Sequence, residues 1–482
     1  MSDESSPSDY APFIALAVVL ALFVLALVGL LVTGLISFVF TQAAPIPITM
    51  PIGTKPAPRI NHLAVIDDEQ LYTIDPAGAK RIDLAHTGRV PTAAVIWSRD
   101  GQRLIFVETE LNQSRVNSAL LDGQDTRVLY EAEQVREPFY LYGSPDDRHV
   151  AFLVSDAAAG MQLHIADTDR ARAARVAVAG QPNYTSWSPD SQTLLVHIGG
   201  AGAEAFVGTY ALNASQPVKI ETRPAPFQAP VWSPDGAPGG AAQWLYARQS
   251  DPQSELVIGD GHTSHTLAQF EGGIAFGWSP TGQHVAYALN TPDSFLYEGL
   301  TVIDVATSAP RVYFTGDVLA FFWSPDGQQL AYLTGTLVEP APIGRTGGLA
   351  APLRAHPERS EAESKGAKQS HIQPPEIAAS HAALLAMTQQ RTLQITWHVI
   401  DLEHDRTIDL NTFEPTESFL YLVQYFDQFA QSVAVWSPDS RSLVYTGQPL
   451  IGERGVYVID RDDPTATPRF IGPGDFAIWS WH

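Results

Sequence analysis

The stretch "FWSPDGQQLAYL" at residues 322–333 shows the pattern on which the fold of this chain depends. An apolar run ends in Trp323, a Ser-Pro-Asp-Gly segment follows, and alternating apolar residues resume after it. Ser suits the first position of a type I turn, Pro presets the second, Asp tolerates the third and Gly suits the fourth. The stretch therefore predicts a β-hairpin with a large indole ring beside its turn.

The same hairpin pattern recurs along the chain. Its copies are anchored at Trp97, Gly143, Trp187, Trp232, Trp278, Trp323, Trp436 and, in a truncated copy, Trp479. Their spacings are 46, 44, 45, 46, 45, 113 and 43 residues. A second strand recurs with them and ends in a turn at Asp75, Asp122, Asp167, Asn213, Asp260, Asp304, Asp401 and Asp460. A period of about 45 residues with four strands in each unit is typical of a β-propeller, in which the sheets close into a ring.

The two ends of the repeat region predict how such a ring closes. Residues 62–84 contain three strands without a preceding turn motif, while "FAIWSWH" at 476–482 contains one strand and nothing after it. Together the two segments complete one sheet, which protects both strand edges. We therefore expect an all-β propeller of about eight four-stranded blades over residues 61–482, closed by the N- and C-terminal strands. Seven blades are the alternative if one weak unit is only an insertion.

The "WSPDG" turn, the apolar strand after it and the "VID" strand resemble the repeats of TolB-type propellers, which are related in architecture to WD-repeat propellers. The resemblance covers about residues 61–482 and is specific for fold. It implies a bacterial protein of the cell envelope that acts as a protein- or ligand-binding or scaffolding module. The resemblance is weak for activity, because propellers host binding, scaffolding and several unrelated enzymatic chemistries.

Composition excludes several classes of function. The chain has 482 residues, of which 45% are hydrophobic, so it can bury a large core. Its 52 acidic and 29 basic residues give a net charge of −23, which repels phosphate backbones, and we expect no nucleic-acid partner. Because the chain contains no cysteine, disulfides, thiolate metal sites and Cys nucleophiles are excluded.

The N-terminal region predicts a membrane anchor. After an acidic tail at residues 1–10, residues 11–40 run without one charged side chain. Such a run crosses a hydrocarbon core of about 30 Å as a helix, and it is too long for a cleaved signal peptide. The Pro-rich segment at 41–60 predicts a stiff linker between the membrane and the propeller. The positive-inside rule hardly applies here, so the expected extracytoplasmic position rests on the resemblance to exported TolB-type propellers.

One unit departs from the repeat through a long insertion at residues 338–390. As a functional segment it would be a lid or a partner-docking arm. As a structural segment it would be a disordered surface loop, which a propeller tolerates because lengthening a loop costs little closure entropy. We favour the loop, since loops of this length without strands are usually disordered.

The same unit carries a second departure between Asp401 and Trp436. Apolar residues recur there at helical spacing, with Thr416 as a possible cap. The helix would either plug the ring or form an aromatic rim that binds a partner, and the loop at 131–147 occupies the equivalent place in another unit. The candidate binding residues at this channel mouth are Tyr140, Tyr142, Phe419, Tyr425, Phe426 and Phe429.

Motifs for catalysis and for cofactor binding are absent from the sequence. There is no Gly-x-Ser-x-Gly elbow and no phosphate-binding or dinucleotide-binding glycine loop. His262 and His265 lie beside Asp260 in a predicted turn without a third fixed ligand, so we expect no metal and no cofactor. We name no catalytic residue and expect a protein partner or a small ligand on one propeller face. The alternative is a hydrolase or lyase that acts on a saccharide or peptide in the central channel.

Overall fold

The repeats form antiparallel sheets in the computed structural model of the chain. It describes residues 61–84, 86–133, 136–156, 160–171, 174–226, 228–235, 242–290, 296–338, 392–463 and 467–481. In these ranges no helix is both long enough and apolar enough to cross a membrane. The predicted tail at 1–10, anchor at 11–40 and linker at 41–60 lie outside them. The predicted insertion at 338–390 also lies outside, except for Val338, which ends a strand.

One four-stranded sheet joins the two ends of the repeat region, as the sequence predicts. It contains β1 (Leu63–Asp67), β2 (Gln70–Ile74), β3 (Ile82–Asp83) and β31 (Phe476–Trp479), in the order β3-β2-β1-β31. Strand β31 pairs antiparallel with β1, so that Leu63 lies opposite Trp479 and Ile66 opposite Phe476. Among the described residues, the first and last strands are therefore direct neighbours.

Five further sheets each contain four consecutive antiparallel strands. Their strands are β4 (Val95–Trp97), β5 (Arg103–Thr109), β6 (Gln113–Leu120) and β7 (Arg127–Glu133); β8 (Pro138–Gly143), β9 (His149–Asp156), β10 (Gly160–Asp167) and β11 (Arg175–Ala179); β12 (Asn183–Trp187), β13 (Thr193–Ile198), β14 (Phe206–Ala211) and β15 (Val218–Glu221). The remaining two sheets contain β16 (Val231–Trp232), β17 (Trp244–Ser250), β18 (Gln253–Gly259) and β19 (Ser264–Phe270); β20 (Gly273–Trp278), β21 (His284–Asn290), β22 (Tyr297–Asp304) and β23 (Ala309–Val318).

The last sheet has seven strands in chain order. These are β24 (Ala320–Trp323), β25 (Gln329–Val338), β26 (Thr392–Asp401), β27 (Arg406–Pro415), β28 (Ser442–Pro449), β29 (Gly455–Asp460) and β30 (Arg469–Gly472). Strands β27 and β28 pair only through residues 413–415 and 447–449, at one end of each strand. Bridges from Ala434 to Trp479 and from Trp436 to Leu443 place residues 434–436 beside β28 as a short first strand. The sheet thus consists of two repeat units joined at one end.

Two helices lie in the connection between β27 and β28. They are α1 (Glu417–Gln424) and α2 (Phe426–Phe429). The Thr416 hydroxyl accepts a hydrogen bond from Phe419 N at 3.1 Å, which caps α1 as the sequence predicts. Phe419, Leu422 and Val423 are buried at helical spacing, so the apolar face of α1 packs into the protein.

Neighbouring sheets contact each other in chain order. Strand β4 contacts β8, β10 contacts β12, β12 contacts β16, β17 contacts β20 and β23 contacts β25. Strand β28 contacts β31, which returns the series to the sheet that holds both ends of the repeat region. One cluster of buried apolar side chains extends from Ala64 to Ile478 across these sheets. This all-β arrangement of four-stranded units is consistent with a β-propeller.

The repeated turn has the geometry that its residues predict. The Ser324 hydroxyl donates to Asp326 Oδ1 at 2.6 Å and accepts from Gln329 N at 2.9 Å. Gly327 closes the turn with φ at 68°, in the left-handed region that favours glycine. The same bond from Ser to Asp recurs at Ser98, Ser144, Ser188 and Ser437. In each turn, the Ser side chain provides hydrogen-bond partners for backbone groups that the reversal of the chain leaves unpaired.

The repeated tryptophan links one unit to the preceding one. Its indole Nε1 donates to a backbone carbonyl of the preceding unit in three pairs: Trp187 to Tyr142 at 2.9 Å, Trp323 to Gly277 at 3.3 Å and Trp436 to Phe322 at 3.0 Å. Each acceptor directly precedes the anchor residue of its own unit. The indole rings therefore lie between neighbouring units, where they provide both buried area and a hydrogen bond.

Replacing Ser324 with Ala is expected to destabilise the protein by about 1–3 kcal/mol, because Gln329 N and the Asp326 carboxylate each lose a bond in a buried turn. Urea unfolding monitored by circular dichroism measures the change. Thr281→Ala is the matched control, since Thr281 occupies the Asp position of another turn and lies 3.1 Å from the Ser279 hydroxyl without a charge. Equal losses in the two variants would contradict a special contribution of the Ser-Asp bond.

Candidate functional site

A cavity of about 530 Å³ lies among the first strands of the sheets. We call it the central cavity. The turns contribute Pro145, Pro189, Pro234, Pro280, Pro325 and Pro438 to its wall. Indole rings contribute Trp187, Trp232, Trp278, Trp323, Trp436 and Trp481. Its volume is in the usual range of small-ligand sites, which is about 300–1,000 Å³.

Helix α2 closes one end of the central cavity. Each first strand starts after the connection from the preceding unit and ends at its Trp-Ser-Pro turn, so connections and turns lie at opposite ends. The Phe426 ring of α2 lies 4.9 Å from the Phe321 ring and 6.0 Å from the Phe322 ring, near the start of β24. The turn prolines surround the other end. The cavity is therefore bounded by a helix at one end and by the turns at the other.

The six residues predicted to form an aromatic rim are all buried. Their exposed fractions are 8% for Tyr140, 3% for Tyr142, 2% for Phe419, 6% for Tyr425, 1% for Phe426 and 3% for Phe429. The Tyr140 ring lies 5.0 Å from the Phe429 ring and 6.3 Å from the Tyr425 ring. Of the two alternatives, this burial favours the helical plug over an exposed rim, because rings packed against one another remove more apolar surface from water than an open rim.

The structure separates these six residues into two groups. Tyr142 and Phe426 line the central cavity. Tyr140, Phe419, Tyr425 and Phe429 pack within the main apolar cluster. A binding role for the second group would require the plug to move, so only Tyr142 and Phe426 are placed to touch a ligand in the structure as it stands.

Asp427 is a charged residue of the cavity that was not among the predicted site residues. This residue of α2 lines the central cavity, and its Oδ1 accepts one hydrogen bond from Gln428 N at 2.9 Å. Burial raises the pKa of Asp427 to about 6, and no cation of the described residues offsets that effect. The available signal was an acidic residue inside the aromatic run "QYFDQF" at 424–429.

Tyrosines surround this carboxylate. Burial first, and then the charge of Asp427, raise the pKa of Tyr142, Tyr184 and Tyr297. The three residues lie on β8, β12 and β22. Their phenols stay protonated at neutral pH, so the carboxylate is the ionisable group of this cluster near pH 6.

The cavity also contains a cation at a separate position. Arg99 follows β4, and its Nη2 donates to Gln431 O at 2.7 Å. Its guanidinium carbon lies 3.9 Å from the centre of the Trp481 ring, which is a cation–π contact. Burial lowers the pKa of Arg99 to about 10, and the Asp147 charge opposes that shift. The charge that acts on Arg99 is thus Asp147, not Asp427.

The described lining residues of the cavity include two carboxylates, Asp235 and Asp427. Asp235 lies in an exposed turn, so Asp427 is the interior carboxylate among the described lining residues. The described ranges contain no group of three His, Asp or Glu residues placed to hold a metal ion. Asp260 accepts from His262 N at 2.8 Å and Thr263 N at 2.7 Å, which are bonds of an ordinary turn.

Comparison with known proteins gives similarity at the level of fold. No family model matches the chain, and no curated protein matches it. TolB from Acinetobacter baumannii is 15% identical with a TM-score of 0.33, and the match spans 53% of this chain and 64% of TolB. An oligogalacturonate lyase from Vibrio parahaemolyticus is 11% identical with a TM-score of 0.42, over 55% and 80% of the two chains. A eukaryotic initiation factor is 10% identical with a TM-score of 0.46, over 87% and 98%.

Proposed function

We propose that this chain is an eight-bladed β-propeller that acts as a binding module, with the central cavity as its ligand site. The blade count follows from six four-stranded sheets and the two repeat units of the seven-stranded sheet. The observation that carries the function is a cavity closed by α2, with indole and proline walls and one interior carboxylate. Such a concave apolar site with few placed polar groups is typical of ligand binding.

We also propose that residues 11–40 anchor the protein in a membrane and that the propeller lies outside the cytoplasm. The uncharged length of this segment supports the anchor. The resemblance of the repeats to exported TolB-type propellers supports the location. Strand β1 begins opposite Trp479, the last residue of β31, so the chain enters the repeat region at the same end as the Trp-Ser-Pro turns.

A single thiol tests the location. Ile451 is 92% exposed, and the natural chain has no cysteine, so Ile451→Cys creates one accessible thiol. We expect a membrane-impermeant maleimide to label this variant on intact cells, while the natural chain stays unlabelled. Labelling only after lysis would place the propeller in the cytoplasm and overturn the proposed location.

Filling the cavity tests the binding site. Gly277 lines the cavity, and a Cβ atom added there meets no atom within 4 Å, so Gly277→Phe places a ring in open space. Tryptophan fluorescence is recorded against neutral oligosaccharides, acidic oligosaccharides, short peptides and organic amines. We expect saturable binding of at least one probe class, at least tenfold weaker in Gly277→Phe and unchanged in the control Ser215→Phe, which adds the same ring to an exposed turn.

Two outcomes would overturn this function. If no probe class binds, or if Gly277→Phe binds as the natural chain does, the central cavity is not the ligand site. If a saccharide or peptide probe is consumed and Asp427→Asn abolishes its consumption, the alternative of a hydrolase or lyase is favoured. The observation that keeps this alternative is the pKa of Asp427 near 6, which suits a general acid.

A further inference from the structure

We infer that the central cavity binds an organic cation, an ammonium or guanidinium group, with Asp427 as its counter-ion. This inference rests on the proposed function of the cavity as a binding site. It goes further by assigning the charge of the ligand, the residue that recognises it and the end of the cavity at which recognition occurs.

First, no neighbouring cation of the described residues balances the charge of Asp427. Asp427 lies in α2 with the buried Phe426 and Phe429, at the closed end of the cavity, and its Oδ1 accepts a hydrogen bond from the backbone amide of Gln428. Burial of an ionised carboxylate is strongly unfavourable unless a cation or several donors compensate it. The described residues supply no such cation at Asp427. A cationic ligand would provide the missing charge, in a site with little water to screen the attraction.

Second, aromatic side chains line the cavity at the end that holds Asp427. Tyr142, Phe276 and Phe321 line the cavity, and α2 contacts the strands β20 and β24 that carry the two phenylalanines. The faces of aromatic rings are negative and attract ammonium and guanidinium groups, with estimates of about 0.5–2 kcal/mol for each contact. Carboxylate and aromatic rings together favour an organic cation over a metal ion, which prefers several oxygen ligands.

The third argument concerns the net charge of the ligand. Arg99 lines the cavity at another position, where its guanidinium stacks on Trp481. A second positive charge on the ligand would be repelled by Arg99, whereas a neutral or negatively charged remainder of the ligand would not be. The cavity therefore selects a single cationic group on a chain that passes between the turn prolines. Both a free small amine and a Lys or Arg side chain of a partner protein have this chemistry.

The experiment compares choline with 3,3-dimethylbutan-1-ol, which has the same shape without the charge. Binding to the full chain in detergent is measured by tryptophan fluorescence at pH 7.5. We expect choline to bind at least tenfold more tightly than the neutral alcohol, and Asp427→Asn to remove that difference. Glu271→Gln, which removes an exposed charge outside the cavity, is the matched control and is expected to bind as the natural chain does.

The pH profile separates a counter-ion from a merely structural role. The groups that face Asp427 are Tyr142 on β8, Tyr184 on β12 and Tyr297 on β22, and none of these phenols titrates between pH 5 and 8. Choline binding should therefore weaken as the pH falls through about 6, the pKa of Asp427, and Asp427→Asn should show a flat profile. A flat profile in the natural chain would overturn the assignment of Asp427.

Further measurements distinguish the two sources of the cationic group, and they separate failure of the cation inference from failure of the proposed binding function. Tighter binding of a Gly-Lys-Gly peptide than of choline would identify a protein side chain as the ligand, and the reverse order would identify a small amine. If choline binds no better than the neutral alcohol while another probe binds in a manner sensitive to Gly277→Phe, the cation inference fails and the binding function stands. If no probe binds, both fail.

Discussion

A chain truncated after Gly474, without β31, is expected to lose its cooperative unfolding transition. Strand β31 pairs with four residues of β1 and contributes Phe476, Ile478 and Trp479, each at most 1% exposed. Its removal opens the hydrogen-bonding edge of β1 and exposes the apolar side chains between β1 and β28. Thermal unfolding monitored by calorimetry and circular dichroism measures the effect, which should be the largest of any change considered.

A circular permutant is the control for this deletion. Ser480 N donates to His62 O at 2.9 Å, so the two ends of the described region are neighbours and a short Gly-Ser linker can join them. The new ends are placed in the exposed turn at Gly261 and His262. We expect the permutant to retain cooperative unfolding, because it keeps β31 beside β1. An unchanged melting curve in the truncated chain would show that the closing strand does not stabilise the fold.

The second large effect is expected for Trp436→Ala. Trp436 is 2% exposed, and its indole Nε1 donates to Phe322 O at 3.0 Å. The substitution leaves a void between two repeat units and removes the hydrogen bond between them, so we expect a loss of about 3–5 kcal/mol in the free energy of unfolding. Urea unfolding followed by far-ultraviolet circular dichroism provides the measurement.

Trp232→Ala is the matched control, because Trp232 occupies the same position in another unit. Its ring is only partly buried, and its Nε1 has no hydrogen-bond partner within the described residues. We expect about half the loss of stability seen for Trp436→Ala. Equal losses in the two variants would show that neither the deeper burial of the Trp436 ring nor its bond to the preceding unit increases the contribution of the anchor tryptophan.

The sheets could be predicted because their signals are local. The Ser-Pro-Asp-Gly turn depends on contacts within six residues, such as Ser324 with Asp326 and Gln329. The pairing of both chain ends also followed from strands that lacked a partner in sequence. The seven-stranded sheet was not predicted, because the pairing of Phe413 with Pro449 depends on how two neighbouring units meet.

The candidate site was only partly predictable, because its geometry depends on distant parts of the chain. Tyr140 has φ at 49° within a register shift of β8, and this backbone turns its ring onto Phe429, far along the sequence. In a single uninterrupted helix Asp427 would lie about 100° around the axis from Phe426, at the edge of the apolar face. Helix α1 instead ends at Gln424 and α2 begins at Phe426, so the break changes the direction in which Asp427 points.

The composite sheet has a mechanical consequence. Residue 61 precedes β1, whose partners on its two sides are β2 and β31. A pulling force directed along the axis of β1 would shear the hydrogen bonds of both pairs together instead of opening them one at a time. If residues 11–40 hold the chain in a membrane, tension on the segment that leads to β1 acts first on the pairing of β1 with β2 and β31. The strand that closes the fold would then also be the element that resists extraction of the protein under load.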